Sequence, residues 1–182
     1  MPRPSMRPRL LTAAARRVLD GGLEELTLEQ VAADAGVSKG GLLYHFPTKA
    51  ALIEALIADV LDHFEQTVEA AGGQRGELGS WTHAYIDATF DAEVSRPALA
   101  TALLAAPEAG PELIAACGER LDGWQRRIEA DGIDPGTAAT IRYACDGWWT
   151  LSTLTGQGDR DATLLRAHLH DLAHRAVSVA SP

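Results

Sequence analysis

Two cysteines, Cys117 and Cys145, are too few and too far apart in this 182-residue chain for a disulfide framework or a thiolate metal site. Their helix-like surroundings read as reduced, buried thiols, which fits the cytoplasm. Aromatic side chains make up only 5% of the chain. No apolar run approaches the roughly 20 residues that span a bilayer, so no membrane partner is expected. The start is rich in proline and arginine and lacks the apolar run of a signal peptide. No stretch alternates with the two-residue period of a half-buried strand. A phosphate-cradling glycine loop and a nucleophile motif are also missing, which argues against an enzyme. His170 and His174 share a helix face, with His168 off it and no obvious carboxylate ligand beside them. They read as a solvated pair, and neither metal nor cofactor is expected.

Negative charge is plentiful but unevenly spread. The net charge is −9. Residues 1–50 hold seven basic and five acidic side chains, a net +2, while residues 51–182 hold nine and twenty, a net −11. Arg3, Arg7, Arg9, Arg16 and Arg17 all precede the first acidic residue. A basic end can neutralise phosphates while an acidic body keeps the remaining surface off a duplex.

What is present, nearly everywhere, is helical spacing. The apolar pattern predicts helices over Arg9–Asp20 and from Lys49 to about Gly72-Gly73. It continues over Ser80–Glu93, Ser95–Leu104, Glu108–Asp131, Thr137–Thr155 and Asp161–Val179. Pro97, Pro107, Pro111, Asp134-Pro135-Gly136 and Gly156-Gln-Gly158 punctuate them. The first helix should bury Leu10, Leu11, Ala14, Val18 and Leu19. Hydrophobic content of 46% supports a real core. The expected fold is all-α with about nine helices.

The most informative stretch runs from Thr27 to Lys49. Thr27 and Gln30 have the spacing of a capping box, and Val31, Ala32 and Ala35 form the buried stripe of a short helix. Gly36 supplies a left-handed turn, with Val37 packed after it. Ser38 caps a second helix, Lys39 to His45, that buries Leu42 and Phe46. Pro47 ends it and Thr48 caps the next. Two short helices around a tight turn make a helix-turn-helix, whose second helix enters the DNA major groove.

Residues 9 to 57 resemble the DNA-binding end of the tetracycline-repressor (TetR) family of bacterial transcription regulators. The likeness rests on Gly21-Gly22, on "LTLEQVAADAGVSKGGLLYHFPTKAAL", and above all on Leu43-Tyr44-His45-Phe46 followed by Lys49 and Leu52. The resemblance implies an all-helical homodimer whose C-terminal body binds a small-molecule effector and thereby releases operator DNA. Residues 1–48 are then a three-helix DNA-binding domain, and 49–182 a helical ligand-binding and dimerisation domain. By position in the motif, Thr27, Ser38, Lys39, Gly40, Gly41, Leu43, Tyr44, His45 and Lys49 fall at the DNA. Lys39 suits guanine acceptors. Thr27, Tyr44 and Lys49 suit phosphates, and Leu43 a thymine methyl. His45 fits either DNA or packing at the domain junction.

In the body, Phe64, Trp81, Phe90, Trp124 and Trp148 are the candidate lining of an effector pocket, with Tyr143, Asp146 or Asp87 as polar contacts. Acidic groups beside aromatic rings favour a cationic, lipophilic ligand. Ile141, Cys145, Trp149, Leu165, Leu169 and Leu172 are the candidate dimer interface; the alternative for that stripe is ordinary core. Adjacent Trp148 and Trp149 point about 100° apart, so one can face a cavity and the other a partner. The expectation is a cytoplasmic, ligand-responsive repressor that binds a palindromic operator as a homodimer. The alternatives are a helical protein-interaction module, or an activator of the same architecture.

Overall fold

The computed structural model describes residues 6–73, 77–155 and 159–180. Arg3 and the break expected at Gly156-Gln-Gly158 lie outside them. All the regular structure among the described residues is helical. In order come α1 (Met6–Gly21), a one-turn 3-10 helix (Leu23–Glu25), α2 (Leu28–Asp34), α3 (Lys39–His45), α4 (Lys49–Gly73) and α5 (Ser80–Phe90). Then follow α6 (Ala92–Ser95), α7 (Pro97–Leu104), α8 (Pro111–Ala130), α9 (Pro135–Thr155) and α10 (Asp159–Ala180). Nine of these have seven or more residues and α6 is a single turn, so the all-α expectation is borne out.

One expected helix is divided. The pattern over Ser80–Glu93 breaks at Asp91, whose backbone is extended (φ −90°, ψ 109°). Its carboxylate accepts from the backbone N–H of Glu93 at 2.9 Å and of Val94 at 3.3 Å, capping α6. An aspartate that satisfies nearby N–H groups offers the backbone an alternative to continuing the helix.

The chain forms two compact units. The first holds the residues up to Leu61 together with Ala98–Ile114. Here α1 lies on α2 and on the 3-10 turn, and α2 on α3. Leu10, Ala14, Leu26, Val31, Leu42, Leu52 and Ile53 are fully buried, each contributing roughly 1.5–3 kcal/mol of transfer free energy if an aliphatic side chain larger than alanine. Leu19, expected inside, is 55% exposed. It sits one residue, about 100°, past Val18, the last member of the buried stripe. Two arginines of the basic start are used inside this unit. Arg9 donates to the Ala35 carbonyl at 2.7 Å, closing the end of α2, and Arg17 forks onto Asp34 at 2.6 and 3.1 Å.

The second unit holds Asp62–Pro97 and everything from Ala115 onward. In it α5 packs on α9 and α10, and α10 on α9. The Asp131 carboxylate accepts from both the Thr82 N–H and hydroxyl at 2.8 Å, tying the end of α8 to the first turn of α5. A Cβ on Gly72 would lie 2.7 Å from the Trp81 Cα, so α4 and α5 approach closely only because that residue is glycine. Helix α4 contributes residues to both units.

Candidate nucleic-acid interface and aromatic centre

The expected caps of the first unit form. Thr27 is extended (φ −117°, ψ 148°) and its hydroxyl oxygen accepts from Gln30 N–H at 3.3 Å. The reciprocal half of the capping box does not form. The Thr27 N–H is taken by the Glu25 carbonyl at 3.1 Å, and the Gln30 side chain accepts the Thr27 hydroxyl proton at 2.7 Å instead. Gly36 holds φ +64°, the left-handed turn between the two helices. Ser38 accepts from Gly41 N–H at 3.1 Å and Thr48 from Ala51 N–H at 3.0 Å. Each cap satisfies an N–H that the helix itself leaves open. Leu42 and Phe46 face inward, both buried.

That inward face fixes what the opposite one presents. Thr27, Ser38, Lys39, Gly40, Leu43 and Tyr44 are exposed, Tyr44 at 86%. Gly40 has nothing within 4 Å of where a Cβ would stand, so the protein itself leaves room for a side chain there. Gly41 is half-buried near Ser38 and Met6. The Lys39 ammonium donates to Glu29 at 2.5 Å, and that hydrogen bond holds the Glu29 carboxyl below its ordinary range. His45 is half-buried, edge-on to Tyr44 with centroids 5.3 Å apart. Lys49 stands apart from the others. Its ammonium donates to the Leu23 carbonyl at 3.1 Å and lies 3.4 Å from Glu108, so it clips the 3-10 turn and the segment after α7 to the start of α4.

In the second unit the aromatic residues gather around Tyr85, which is 1% exposed. Phe64 meets it edge-on at 5.5 Å, Trp81 stacks on it at 5.6 Å, and Trp124 lies at 6.0 Å. Phe64 also contacts Trp124 at 4.9 Å and Trp149 at 5.5 Å. Phe64, Tyr85, Thr89, Trp124, Cys145, Asp146 and Trp149 pack around one another with no room for a water-sized sphere between them. Burial pushes the Cys145 thiol up to about 12. Burial also raises the Asp146 carboxyl, against the pull of Arg142, which donates to it at 3.0 Å.

Phe64, Trp124 and Asp146 are thus together as expected, and Trp81 touches the group through Tyr85. Trp148 is not at this centre; it pairs with Phe90 at 5.4 Å, and Trp149 takes the inner place. The spacing Ala138, Ile141, Cys145, Trp149 already carried that signal, a 3–4–4 stripe whose earlier members are all buried. Tyr85 and Thr89, four residues apart on α5, were legible in the same way. Tyr143 is 65% exposed, with the Arg142 guanidinium 4.3 Å from its ring centre.

Of the candidate interface residues, Ile141, Cys145 and Leu169 are buried within their own unit, and Trp149 joins the ring cluster. Leu165 and Leu172 are half-buried. Among the described residues, the large apolar side chains that α9 and α10 expose are Tyr143, Leu151 and Leu164. His170, read from the sequence as one of a solvated pair, is half-buried and has partners on α5. Its Nε2 lies 2.8 Å from Asp87 and its Nδ1 2.6 Å from Nδ1 of His83, the two rings stacked. Among the described residues no helix is long and apolar enough to cross a membrane.

Residues 10–56 match the family described as "Bacterial regulatory proteins, tetR family", and residues 79–175 match "Tetracyclin repressor-like, C-terminal domain". The chain belongs to the TetR family. The two matched segments hold the capped helix pair and nearly all of α5 to α10. Among curated TetR-like relatives, the transcriptional repressor KstR2 of Mycolicibacterium smegmatis is 34% identical over 71 residues, covering 37% of this chain and 35% of that one. The transcriptional regulator RutR of Escherichia coli K12 is 45% identical over 53 residues, or 29% and 25% of the two chains. The matches therefore span about a third and a quarter of those regulators. Among solved structures, the multidrug binding protein EbrR in complex with malachite green superposes with a TM-score of 0.69 at 26% identity. That match covers 93% of this chain and 98% of the other. EbrR is also solved with ethidium.

Proposed function

We propose that this TetR-family protein is a cytoplasmic, ligand-responsive repressor that binds a palindromic operator as a homodimer. The observation that carries the reading is the outer face of α3, where Lys39, Gly40, Leu43 and Tyr44 are exposed on a helix pair whose inner face is capped and packed. Residues 1–48 act as the reading domain and 49–182 as the body. Lys39 donates to guanine acceptors, Leu43 packs on a thymine methyl, and glycines 40 and 41 let the backbone approach the groove. Thr27, Ser38 and Tyr44 hold phosphates and set the register. His45 braces Tyr44, and Lys49 orients the start of α4 in addition to any phosphate contact.

Two copies on a two-fold axis read two half-sites about 34–36 Å apart, or a multiple of that. The exposed Tyr143, Leu151 and Leu164, with Leu165 and Leu172 beside them, support a partner surface on α9 and α10. The effector enters the aromatic centre, where Phe64, Trp124, Trp149 and Asp146 pack together and must part to receive it. The ring faces favour a lipophilic cation, with Asp146 its counter-charge once released from Arg142, and EbrR is solved with malachite green and with ethidium. The effector acts only if it binds the widened state more tightly than the DNA-competent one.

Enrichment of duplexes from a random-sequence library by the full chain tests the reading. An inverted repeat with that half-site spacing is expected, and no enrichment over input would refute it. Malachite green should quench the tryptophan fluorescence of the protein and release the enriched duplex. Quenching without release would remove effector control from the account.

A further inference from the structure

A lysine at the first residue of a helix is electrostatically misplaced, because the positive end of the helix dipole repels it. Lys39 occupies that place in α3. Glu29, in the first turn of α2, sits where a negative charge is favoured, and it receives the Lys39 ammonium at 2.5 Å. Both side chains are open to solvent, 59% for Lys39 and 62% for Glu29, as are Thr27 and Tyr44. No side chain at position 40 stands beside the pair. The ammonium has three protons, and Glu29 uses one.

We infer that Glu29 is a positioning residue that sets sequence discrimination through Lys39, a role that rests on the DNA-binding reading above. The carboxylate holds the ammonium in a paired, neutral arrangement. On an arbitrary duplex that pair neutralises no phosphate, and the carboxylate itself is repelled by the backbone. On the operator the two remaining N–H groups of Lys39 meet guanine O6 and N7, and this gain is available only where a guanine is in register. Glu29 thus weakens binding to wrong sequences more than to the right one, which makes specificity a difference of affinities.

The test uses the full chain, a duplex enriched from a random library by the wild-type protein, and a scrambled duplex of equal length, followed by fluorescence anisotropy across a KCl series. Glu29→Gln should tighten binding to the scrambled duplex by about threefold to fivefold, the size expected of an exposed pair, and shift the enriched duplex less. The log–log salt slope on scrambled DNA should steepen by about one ion as Lys39 is freed for a phosphate. In a Lys39→Ala background Glu29→Gln should leave the ratio of the two affinities unchanged, and both single variants should melt at the wild-type temperature. An unchanged ratio and slope in Glu29→Gln, while the wild type still prefers the enriched duplex, overturns the inference. So does an equal change with and without Lys39. Absence of any preference in the wild type instead overturns the DNA-binding reading, and this inference falls with it.

Discussion

Tyr44 and Tyr85 belong to the same chain and are used in opposite ways. Tyr44 stands 86% exposed on α3, edge-on to His45, whereas Tyr85 is 1% exposed at the meeting point of Phe64, Trp81 and Trp124. The two units follow the same division. In the first, chemistry faces outward and a small apolar interior, closed by caps at Thr27, Ser38 and Thr48, holds it in place. In the second, the rings of the aromatic centre face inward and two polar groups, Asp146 and Arg142, are drawn in with them. A reading surface has to be rigid underneath and bare on top; a receptor core has to be filled until its ligand arrives. Side chains on the first surface can therefore be changed at little cost in stability, and side chains in the second centre at a large one.

Substitutions in the two regions sharpen that contrast. The largest effect is expected for Phe64→Ala, which removes a ring in contact with three others and should cost about 3–5 kcal/mol of stability in urea unfolding. A cost below 1 kcal/mol would mean the centre is already loose. Next comes Lys39→Ala, expected to weaken operator binding by about 1–3 kcal/mol and relax sequence preference while leaving stability within about 0.5 kcal/mol. Equal loss on operator and random DNA would remove Lys39 from base reading. Gly36→Ala forces a Cβ into the left-handed turn and should destabilise the first unit by about 1–2 kcal/mol, read as a lower melting temperature. Gly40→Ala is predicted to act in opposite directions on the two properties. It replaces an open helical glycine and should stabilise by up to ~1 kcal/mol, yet its methyl occupies the approach to the groove and should weaken DNA binding.

The smallest effect concerns acid. Burial, then the neighbouring His170, lowers the His83 imidazole below its ordinary 6.5. The unfolded chain therefore binds a proton first as pH falls, so stability is full above about 6.5 and declines below it. His83 is surrounded by His170, His174, Asp87 and Asp131, with Arg166 paired to Asp87. Burial alone would raise the Asp87 carboxyl, but hydrogen bonds from Arg166 and His170 outweigh it and hold it below its usual range. The melting temperature of His83→Gln should fall less than that of the wild type as pH drops below 6.5. Curves of identical slope would show that His83 binds its proton equally well folded and unfolded.

The first unit was largely legible because its determinants are local. Caps act over three residues, Gly36 acts on its own dihedral, and the stripe Val31, Ala32, Ala35 is one helix face. What local spacing missed is what other elements decide. The Thr27 N–H was lost to the preceding 3-10 turn, Lys49 was drawn to Leu23 and Glu108, and Arg9 and Arg17 were spent on Ala35 and Asp34. In the second unit, whole helices were found but the rotation of α9 was not, so Trp148 and Trp149 were exchanged in role. His83 and His170 are 87 positions apart, a distance no periodicity within one helix can bridge.

The most direct measurement is methylation interference at guanine N7 on the library-enriched duplex. If the outer face of α3 reads base edges in the major groove, methylation of one guanine in each half-site should abolish binding by the wild-type chain, and Lys39→Ala should bind methylated and unmethylated duplex alike. Binding that tolerates N7 methylation at every guanine would contradict the account.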